Sequence, residues 1–114
     1  MPKQGGRELS EAAPIFAALG DPVRLAMLAH LSKNGPLPTI SFKEGSGVTR
    51  QGVTKHLRVL EDAGLVSSDR VGRDRQWEIH APRIAAARDY LDQISAQWDL
   101  RLERLRALVE DDSN

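Results

Sequence analysis

Residues 48–66 constrain the fold of this 114-residue chain more than any other segment, because they describe a helix with two chemically different faces. At about 100° per residue, Val53, Leu57 and Leu60 fall on one side of such a helix. The opposite arc collects charged or hydrogen-bonding side chains: Arg50, Gln51, Thr54, Lys55 and Arg58. No acidic residue lies between Arg50 and Leu60. The pattern predicts a helix that buries one face and offers the other to an anionic partner.

The polar face carries the side-chain types that read DNA. Arginine and lysine supply charge for phosphates and donors for guanine, and glutamine offers the donor and acceptor pair that fits adenine. Threonine serves either as a donor or as a methyl contact for thymine. An ordinary surface helix with solvated charges has the same composition, so the helix by itself leaves both interpretations open.

The segment after this helix predicts a β-hairpin with a basic tip. Gly64 stands where a helix ends in a residue of positive φ, and residues 65–71 have an extended pattern. Gly72 begins a turn, after which residues 75–79 alternate polar and apolar side chains. The turn region holds Arg70, Arg73 and Arg75, which we expect to enter a minor groove beside the helix. A basic helix next to a basic hairpin favours DNA binding over a merely solvated surface.

A helix with clear end signals is predicted before this pair. Asp21 is placed as its N-cap and Pro22 as its first helical residue, and Gly35 ends it. The predicted apolar stripe of this helix consists of Leu25, Leu28 and Leu31.

An earlier helix is predicted from its apolar residues, Leu9, Ala12, Ala13, Phe16 and Leu19. We expect Pro14 in its first turn, where the missing N–H has no partner to lose. Residues 39–47 predict only a short helix before the next turn, with Ile40 and Phe42 buried.

A long apolar seam runs along the last predicted helix, residues 82–109. Its members recur in alternating steps of three and four residues: Leu91, Ile94, Trp98, Leu102, Leu105 and Val109. One interpretation is that the seam packs on its own domain. The seam is longer than so small a domain needs, however, and we expect a second copy to cover much of it across a two-fold axis.

In the order of these elements the chain resembles the ArsR/SmtB-type winged helix-turn-helix transcriptional regulators. The resemblance covers residues 13–109 and is carried by residues 16–25, residues 49–66 and the Gly72-Arg73 turn. It implies a mainly α fold with a small β-hairpin, namely a winged helix-turn-helix with a long C-terminal dimerisation helix. It also implies a homodimer, usually a repressor, that binds a palindromic operator in double-stranded DNA.

The resemblance also implies roles for single residues. Gln51, Thr54 and Lys55 match base-facing positions, whereas Arg50, His56 and Arg58 match positions at the DNA backbone. The full set of expected DNA contacts is Thr49, Arg50, Gln51, Thr54, Lys55, His56, Arg58, Arg70, Arg73 and Arg75. The expected dimer interface, built from the first and last helices, is Leu9, Phe16, Leu91, Ile94, Trp98, Leu102, Leu105 and Val109. The motif of residues 95–102 resembles the subgroup that lacks metal sites.

Length and charge agree with one small domain, which we expect over residues 8–110 with flexible ends at residues 1–7 and 111–114. The chain has 16 basic and 16 acidic residues and a formal net charge of zero. Seven of the acidic residues but only three basic ones lie in residues 89–114, so the basic character is concentrated in the middle of the chain. This balance predicts modest non-specific affinity for DNA and dependence on a well-fitted site.

Several other function classes are disfavoured by what the sequence lacks. Without cysteine there is no disulfide, thiol redox switch or thiolate metal site, and His30, His56 and His80 are too scattered for a metal cluster. We therefore expect no metal and no cofactor. The glycines match no phosphate-binding loop and the acidic pairs are adjacent in sequence, so we expect no enzyme. No long apolar run or signal peptide is present, which predicts a cytoplasmic protein without a membrane partner.

We therefore expect a sequence-specific transcriptional regulator. One alternative is a winged helix used only as a protein-interaction module. Another is a regulator that responds to a small molecule bound between the Trp98 seam and the core. The acid-free basic face at Arg50, Lys55 and Arg58 favours DNA binding over the interaction module, and it leaves any effector open.

Overall fold

The computed structural model describes residues 2–43 and 47–112, with side chains for residues 10–43 and 47–111. The expected flexible ends, residues 1–7 and 111–114, lie largely outside these described side chains. They and the domain boundary at 8–110 stay predictions.

The described chain is mainly helical, as predicted. Its elements are α1 (Pro2–Leu19), α2 (Pro22–Asn34), β1 (Leu37–Pro38), a 3-10 helix (Thr39–Phe42), α3 (Arg50–Asp62), β2 (Val66–Val71), β3 (Asp74–Ile79) and α4 (Ala81–Asp112). The three strands form one antiparallel sheet in the order β1-β3-β2. The hairpin β2–β3 is the predicted one, which we call the wing. The two-residue strand β1 was not predicted, because it exists only by pairing with distant Gln76 and Trp77.

The ends of α2 follow from local chemistry. The carboxylate of Asp21 accepts a hydrogen bond of 3.0 Å from the backbone N–H of Arg24, which satisfies a donor that has no partner inside the helix. Gly35 closes the helix with φ of 76° and donates its N–H to the carbonyl of Leu31. Both predicted ends are confirmed.

The predicted apolar stripe of α2 is partly wrong. Met27, Leu28 and Leu31 are buried, but Leu25 is 53% exposed. At about 100° per residue, Leu25 lies roughly 160° around the helix from Met27, so the two cannot share one buried face. The predicted stripe includes Leu25 because it lies three residues before Leu28. The buried face instead consists of Met27, Leu28 and Leu31.

Pro14 lies inside α1 and not in its first turn, which corrects the prediction. The proline ring removes the N–H that would have bonded to the carbonyl of Ser10. Both residues are exposed, so water can bond to that carbonyl. The inward face of α1 is kept by Ile15 and Ala18, which are buried.

The core lies beneath α3, between the first two helices and the sheet. Its largest fully buried side chains are Trp77, Ile15, Leu31, Leu57, Leu60, Leu65 and Val53. Phe42 is buried as predicted, whereas Ile40 is 64% exposed, which corrects the second half of that prediction. The predicted inner face of the polar-faced helix, Val53, Leu57 and Leu60, is confirmed as fully buried.

A Schellman motif ends α3 and starts the wing. Leu65 donates its N–H to the carbonyl of Leu60 at 3.0 Å, and Gly64 donates to Glu61 at 2.9 Å. Gly64 has φ of +79°, as its predicted role requires. Because Leu65 is fully buried, the motif fixes the direction in which β2 leaves the helix.

The 32-residue helix α4 is long for this domain, about 48 Å from end to end. It packs on α1, where Ala87 is buried and the Tyr90 ring lies 6.0 Å from that of Phe16. The apolar seam Leu91, Ile94, Trp98, Leu102, Leu105 and Val109 is 46 to 68% exposed in the single chain. The seam therefore does not pack on its own domain.

No single helix among the described residues is both long and apolar enough to cross a membrane. Within residues 2–43 and 47–112, one pair of helices, Ser10–Leu19 and Pro22–Asn34, bent by 94°, meets that test of length and composition together.

Candidate nucleic-acid interface

The wing stands beside α3 and encloses a cleft of about 430 Å³ with it. Five arginines from two parts of the chain line this space, and we call it the basic cleft: Arg50, Arg58, Arg70, Arg73 and Arg75. Its other lining residues are Thr39, Ile40, Thr54, Asp74 and Trp77. The structure thus brings the predicted basic helix and basic hairpin tip together, although they are separated along the sequence.

The predicted base-reading residues lie on the outer side of α3. Gln51 and Lys55 are exposed. Thr54 is half-buried, and its hydroxyl donates to the carbonyl of Arg50 at 3.1 Å, which leaves its oxygen and methyl group for a partner. Thr49 is the N-cap, and its hydroxyl accepts the N–H of Gly52 at 3.1 Å. Capping is a role that sequence analysis did not assign to Thr49.

The wing is closed by the shortest hairpin loop. Val71 pairs with Asp74, so only Gly72 and Arg73 form the loop, and Gly72 has φ of +64°. A glycine of positive φ at the first loop position matches the type II′ turns that suit the twist of hairpins. Six-residue strands therefore carry Arg73 at their outermost point.

Arg70 and Arg75 are direct partners across the wing. Like charges opposite each other destabilise an antiparallel pair, so this pairing gains nothing for the isolated hairpin. An anionic partner in the basic cleft would offset the repulsion.

Glu61 lies beside the basic cleft and bonds to Arg58 and Ser68, and sequence analysis missed this role. Its Oε1 accepts a hydrogen bond of 3.1 Å from Nη1 of Arg58, three residues earlier on α3. Its Oε2 accepts a hydrogen bond from the hydroxyl of Ser68 on β2. The Ser68 oxygen in turn accepts a hydrogen bond of 2.8 Å from Nη1 of Arg75. The spacing of Arg58 and Glu61 on one helix was a visible signal, but the link to Ser68 and Arg75 is tertiary.

Trp77 forms the floor of the cleft. Its ring is almost fully buried, and its indole N–H donates to the hydroxyl of Thr39 at 2.9 Å. The guanidinium carbon of Arg58 lies 5.8 Å from the ring centroid, within the range of a cation–π contact. Arg58 is therefore held from below by Trp77 and from the side by Glu61.

His56 lies in a different environment from the other predicted contacts. It is partly buried between α2 and α3, with Nδ1 at 3.5 Å from Nη1 of Arg24 and 3.9 Å from Oδ2 of Asp21. Nε of Arg24 in turn donates to the carbonyl of Ala18 at 2.7 Å. The hydrogen bond from the backbone N–H of Arg24 lowers the pKa of Asp21 below its ordinary value, and electrostatic interactions with the Arg24 and His56 side chains lower it further. This cluster joins the end of α1, the start of α2 and the middle of α3.

Among the side chains of residues 10–43 and 47–111, no three His, Cys, Asp or Glu residues come together in a group that could hold a metal ion. His30 is exposed near Asn34 and Phe42, whereas His56 lies at the α2–α3 contact. His80 follows β3 and is exposed.

Known proteins resemble this chain both in sequence and in fold. A family model described as a helix-turn-helix domain matches residues 19–69. The HTH-type transcriptional regulator NmtR of Mycobacterium tuberculosis is 36% identical over 80 residues, which are 70% of this chain and 66% of NmtR. An uncharacterised HTH-type transcriptional regulator of Bacillus subtilis, YuzN, is 45% identical over 67 residues, 54% of this chain and 73% of YuzN.

Solved structures extend the match over most of the chain. An ArsR-like transcriptional regulator from Rhodococcus sp. RHA1 has a TM-score of 0.73 at 32% identity and covers 87% of this chain and 92% of its own. The homodimeric winged helix-turn-helix DNA-binding domain Mb0332 from Mycobacterium bovis, a possible ArsR-family regulator, has a TM-score of 0.62 at 26% identity, with coverage of 78% and 81%. These relatives are transcriptional regulators and not enzymes. With its basic cleft, wing and long last helix, the chain belongs to the ArsR-like family of winged helix-turn-helix transcriptional regulators.

Proposed function

We propose that this protein binds an operator in double-stranded DNA as a homodimer and represses transcription, and that it acts in the cytoplasm and not as an enzyme. The observation that carries the proposal is the basic cleft, in which five arginines of α3 and the wing converge beside exposed Gln51 and Lys55. In this arrangement α3 enters the major groove and the tip of the wing reaches the neighbouring minor groove.

The proposed contacts divide into reading and anchoring groups. Gln51, Thr54 and Lys55 read base edges, since they lie on the outer arc of α3. The five arginines of the basic cleft bind phosphates, and Thr49 lies at the positive end of the α3 dipole. His56 belongs to neither group in this proposal, because its Nδ1 faces Asp21 and Arg24 at the α2–α3 contact.

The homodimer is proposed from the apolar seam of α4. An exposed apolar surface of this length on one helix is costly in water, and a second copy is the simplest cover. The related Mb0332 domain is homodimeric. Phe16 is half-buried against Tyr90, so it supports the interface from beneath, and the side chain of Leu9 lies outside the described residues.

A groove of about 220 Å³ between α1 and α4 supports a second candidate, a regulator that responds to a small molecule. Polar and apolar side chains both line it, among them Glu11, Ile15, Arg83, Tyr90 and Gln93. In this proposal the ligand site lies not beside Trp98, as expected, but in a groove that begins about one and a half turns and ends about four turns nearer the start of α4. The effector stays open.

Selection from a pool of random duplexes tests the proposed function. We expect an imperfect palindrome to be enriched, and titration should show it bound about a thousandfold or more tighter than a scrambled duplex. Arg50→Ala should weaken binding strongly, whereas Lys33→Ala, an equal loss of charge at an exposed site at the end of α2, should have little effect. Failure to enrich any motif, with equal behaviour of the two variants, would contradict DNA recognition through the basic cleft.

A further inference from the structure

We propose that Glu61 is a positioning residue that clamps the wing to α3 and makes the protein more selective for its operator at the expense of general affinity for DNA. This inference rests on the proposed DNA binding. The juxtaposition that carries it is one carboxylate shared between Arg58 of α3 and, through Ser68 of β2, Arg75 of β3.

Each carboxylate oxygen of Glu61 serves a different element. One oxygen is bonded to Arg58 on the same helix, and the other is bonded to Ser68 on the wing. The wing and α3 are also joined by the core and by the chain at Gly64. The Ser68–Glu61 hydrogen bond adds a polar link between them. The side chain of Glu61 is 27% exposed and that of Arg58 is 50% exposed, so Glu61 is the more buried of the two side chains and Arg58 the more accessible to DNA.

Glu61 leaves most donors of its arginines available. A guanidinium has five N–H donors in a fixed plane, and Arg58 uses one nitrogen for Glu61 while its central carbon lies 5.8 Å from the centroid of the Trp77 ring. Arg75 likewise uses one nitrogen for Ser68. Both side chains are therefore held in one orientation before DNA arrives, which lowers the side-chain entropy lost on binding a phosphate at the matching place.

The same carboxylate competes with phosphates. Carboxylate and phosphate are alternative partners for a guanidinium, and the negative charge of Glu61 beside the basic cleft lowers the attraction of the cleft for any polyanion. Phosphates that fit the held orientation of Arg58 and Arg75 bind without breaking the clamp. Phosphates that do not fit must first displace Glu61, so the cost falls mainly on non-specific complexes.

Glu61→Gln tests the electrostatic part, because glutamine keeps the shape and one acceptor but loses the charge. We expect non-specific affinity to rise about two- to fivefold per protomer, since an exposed ion pair is a weak competitor, while the ratio of operator to non-specific affinity falls. Asp62→Asn is the matched control: it removes the same charge one residue later on an exposed side chain. Equal effects of the two variants on both quantities would overturn the proposal.

Ser68→Ala tests the clamp without changing charge. We expect faster amide hydrogen exchange in β2 and β3 in the absence of DNA, with a reduced operator preference and nearly unchanged non-specific affinity. Ser67→Ala, one residue earlier on the opposite face of β2, should behave as the wild type. Unchanged exchange and preference in Ser68→Ala would refute the clamp.

The two proposals fail in different ways. A wild-type protein that binds no duplex would remove the proposed function and the selectivity of Glu61 with it, whereas the exchange comparison would still decide whether the clamp exists. A wild type that binds its operator, with Glu61→Gln matching Asp62→Asn, would remove the role of Glu61 alone.

Discussion

Thr49 and Thr54 lie one turn and a half apart on the polar side of α3, yet their hydroxyls have different partners. Thr49 accepts an N–H at the helix start, whereas Thr54 donates to a carbonyl inside the helix. Residue type and helical position therefore predict that a side chain faces outward, but only the neighbouring atoms determine which of its groups remain for DNA. His56 gives the same lesson, because Arg24 and Asp21 approach it from another helix.

At this residue scale, the Asp21 cap predicts a dependence of stability on pH. The pKa of Asp21 is lowered in the folded chain, chiefly by the backbone N–H of Arg24. The contribution of Asp21 to folding stability is therefore present above its ordinary pKa of 3.8 and is lost as pH falls through the folded pKa. We expect Asp21→Ala to lower the melting temperature at pH 7, and the difference from wild type to shrink below about pH 4. Asp21→Asn, which keeps an acceptor, should lose less at pH 7, and its difference from wild type should decrease with falling pH by the same amount, because neither variant has a carboxyl group that titrates at position 21.

Gln51 and Arg73 should respond differently to substitution. Gln51→Ala should cost on the order of 1 to 3 kcal/mol per half-site and relax preference at one symmetric base pair, because it removes a base contact. Arg73→Ala should weaken binding to all duplexes and reduce the salt dependence by about one to two units per dimer. Titration of operator variants at two salt concentrations checks both. If Gln51→Ala left the preference intact while Arg73→Ala changed it, the reading and anchoring assignments would be reversed.

At the scale of elements, the periodic and end signals predicted much of the fold. The buried side of α3, the caps of α2 and the Gly72 turn follow from spacing and local backbone chemistry, and all three are found. The strand β1 and the exposure of Ile40 were beyond such reasoning, because both depend on which distant surface is nearby. The hydrogen bond between Ser68 and Glu61 was missed for the same reason.

Gly64 after α3 and Gly35 after α2 allow the cost of adding a side chain to be compared between a crowded and an open helix end. Both glycines have positive φ, but a Cβ at Gly64 would lie 2.9 Å from Cγ of Arg83, whereas the space at Gly35 is open. We expect Gly35→Ala to destabilise by about 1 kcal/mol, the usual cost of this backbone region, and Gly64→Ala to cost more. Urea unfolding measures both. Equal losses would show that the Arg83 side chain moves away freely.

At the scale of the whole molecule, the apolar seam extends α4 beyond what the core of one chain needs. The first turns of α4 are tied to α1 through Ala87 and Tyr90, whereas the side chains of residues 91–111 are all exposed. Pairing of two copies through this part of α4, across a two-fold axis, would also set the spacing of the two α3 helices. Helices about 34 Å apart reach successive major grooves on one side of a duplex.

The seam predicts the state of assembly. Trp98→Asp or Leu105→Asp should convert a stable homodimer into monomers or unfold the chain, because each places a charge in the apolar interface. Gln97→Asp adds the same charge on α4 outside the seam and should leave the dimer intact. Sedimentation velocity with circular dichroism separates dissociation from unfolding. A folded wild-type monomer at micromolar concentration would contradict this interface.

The dispersed histidines and the absence of cysteine predict indifference to metals. Zinc, cadmium or arsenite at one equivalent per protomer should leave operator affinity unchanged, because these ions need a set of soft or imidazole ligands in one place. A DNA-binding titration in metal-free buffer, with and without each ion, is the check. Release of DNA at one ion per protomer would contradict the prediction.

The separation of charge between the basic cleft and the acidic residues in the later part of α4, from Asp89 onward, gives the molecule an electric dipole moment although its net charge is zero. In a uniform field such a body experiences a torque but no net force. Far from a duplex, the field therefore turns the protein before it draws it closer, and the cleft faces the phosphates when contact occurs. In a two-fold dimer the dipole components across the axis cancel and those along it add, so both α3 helices would approach the same side of the duplex together.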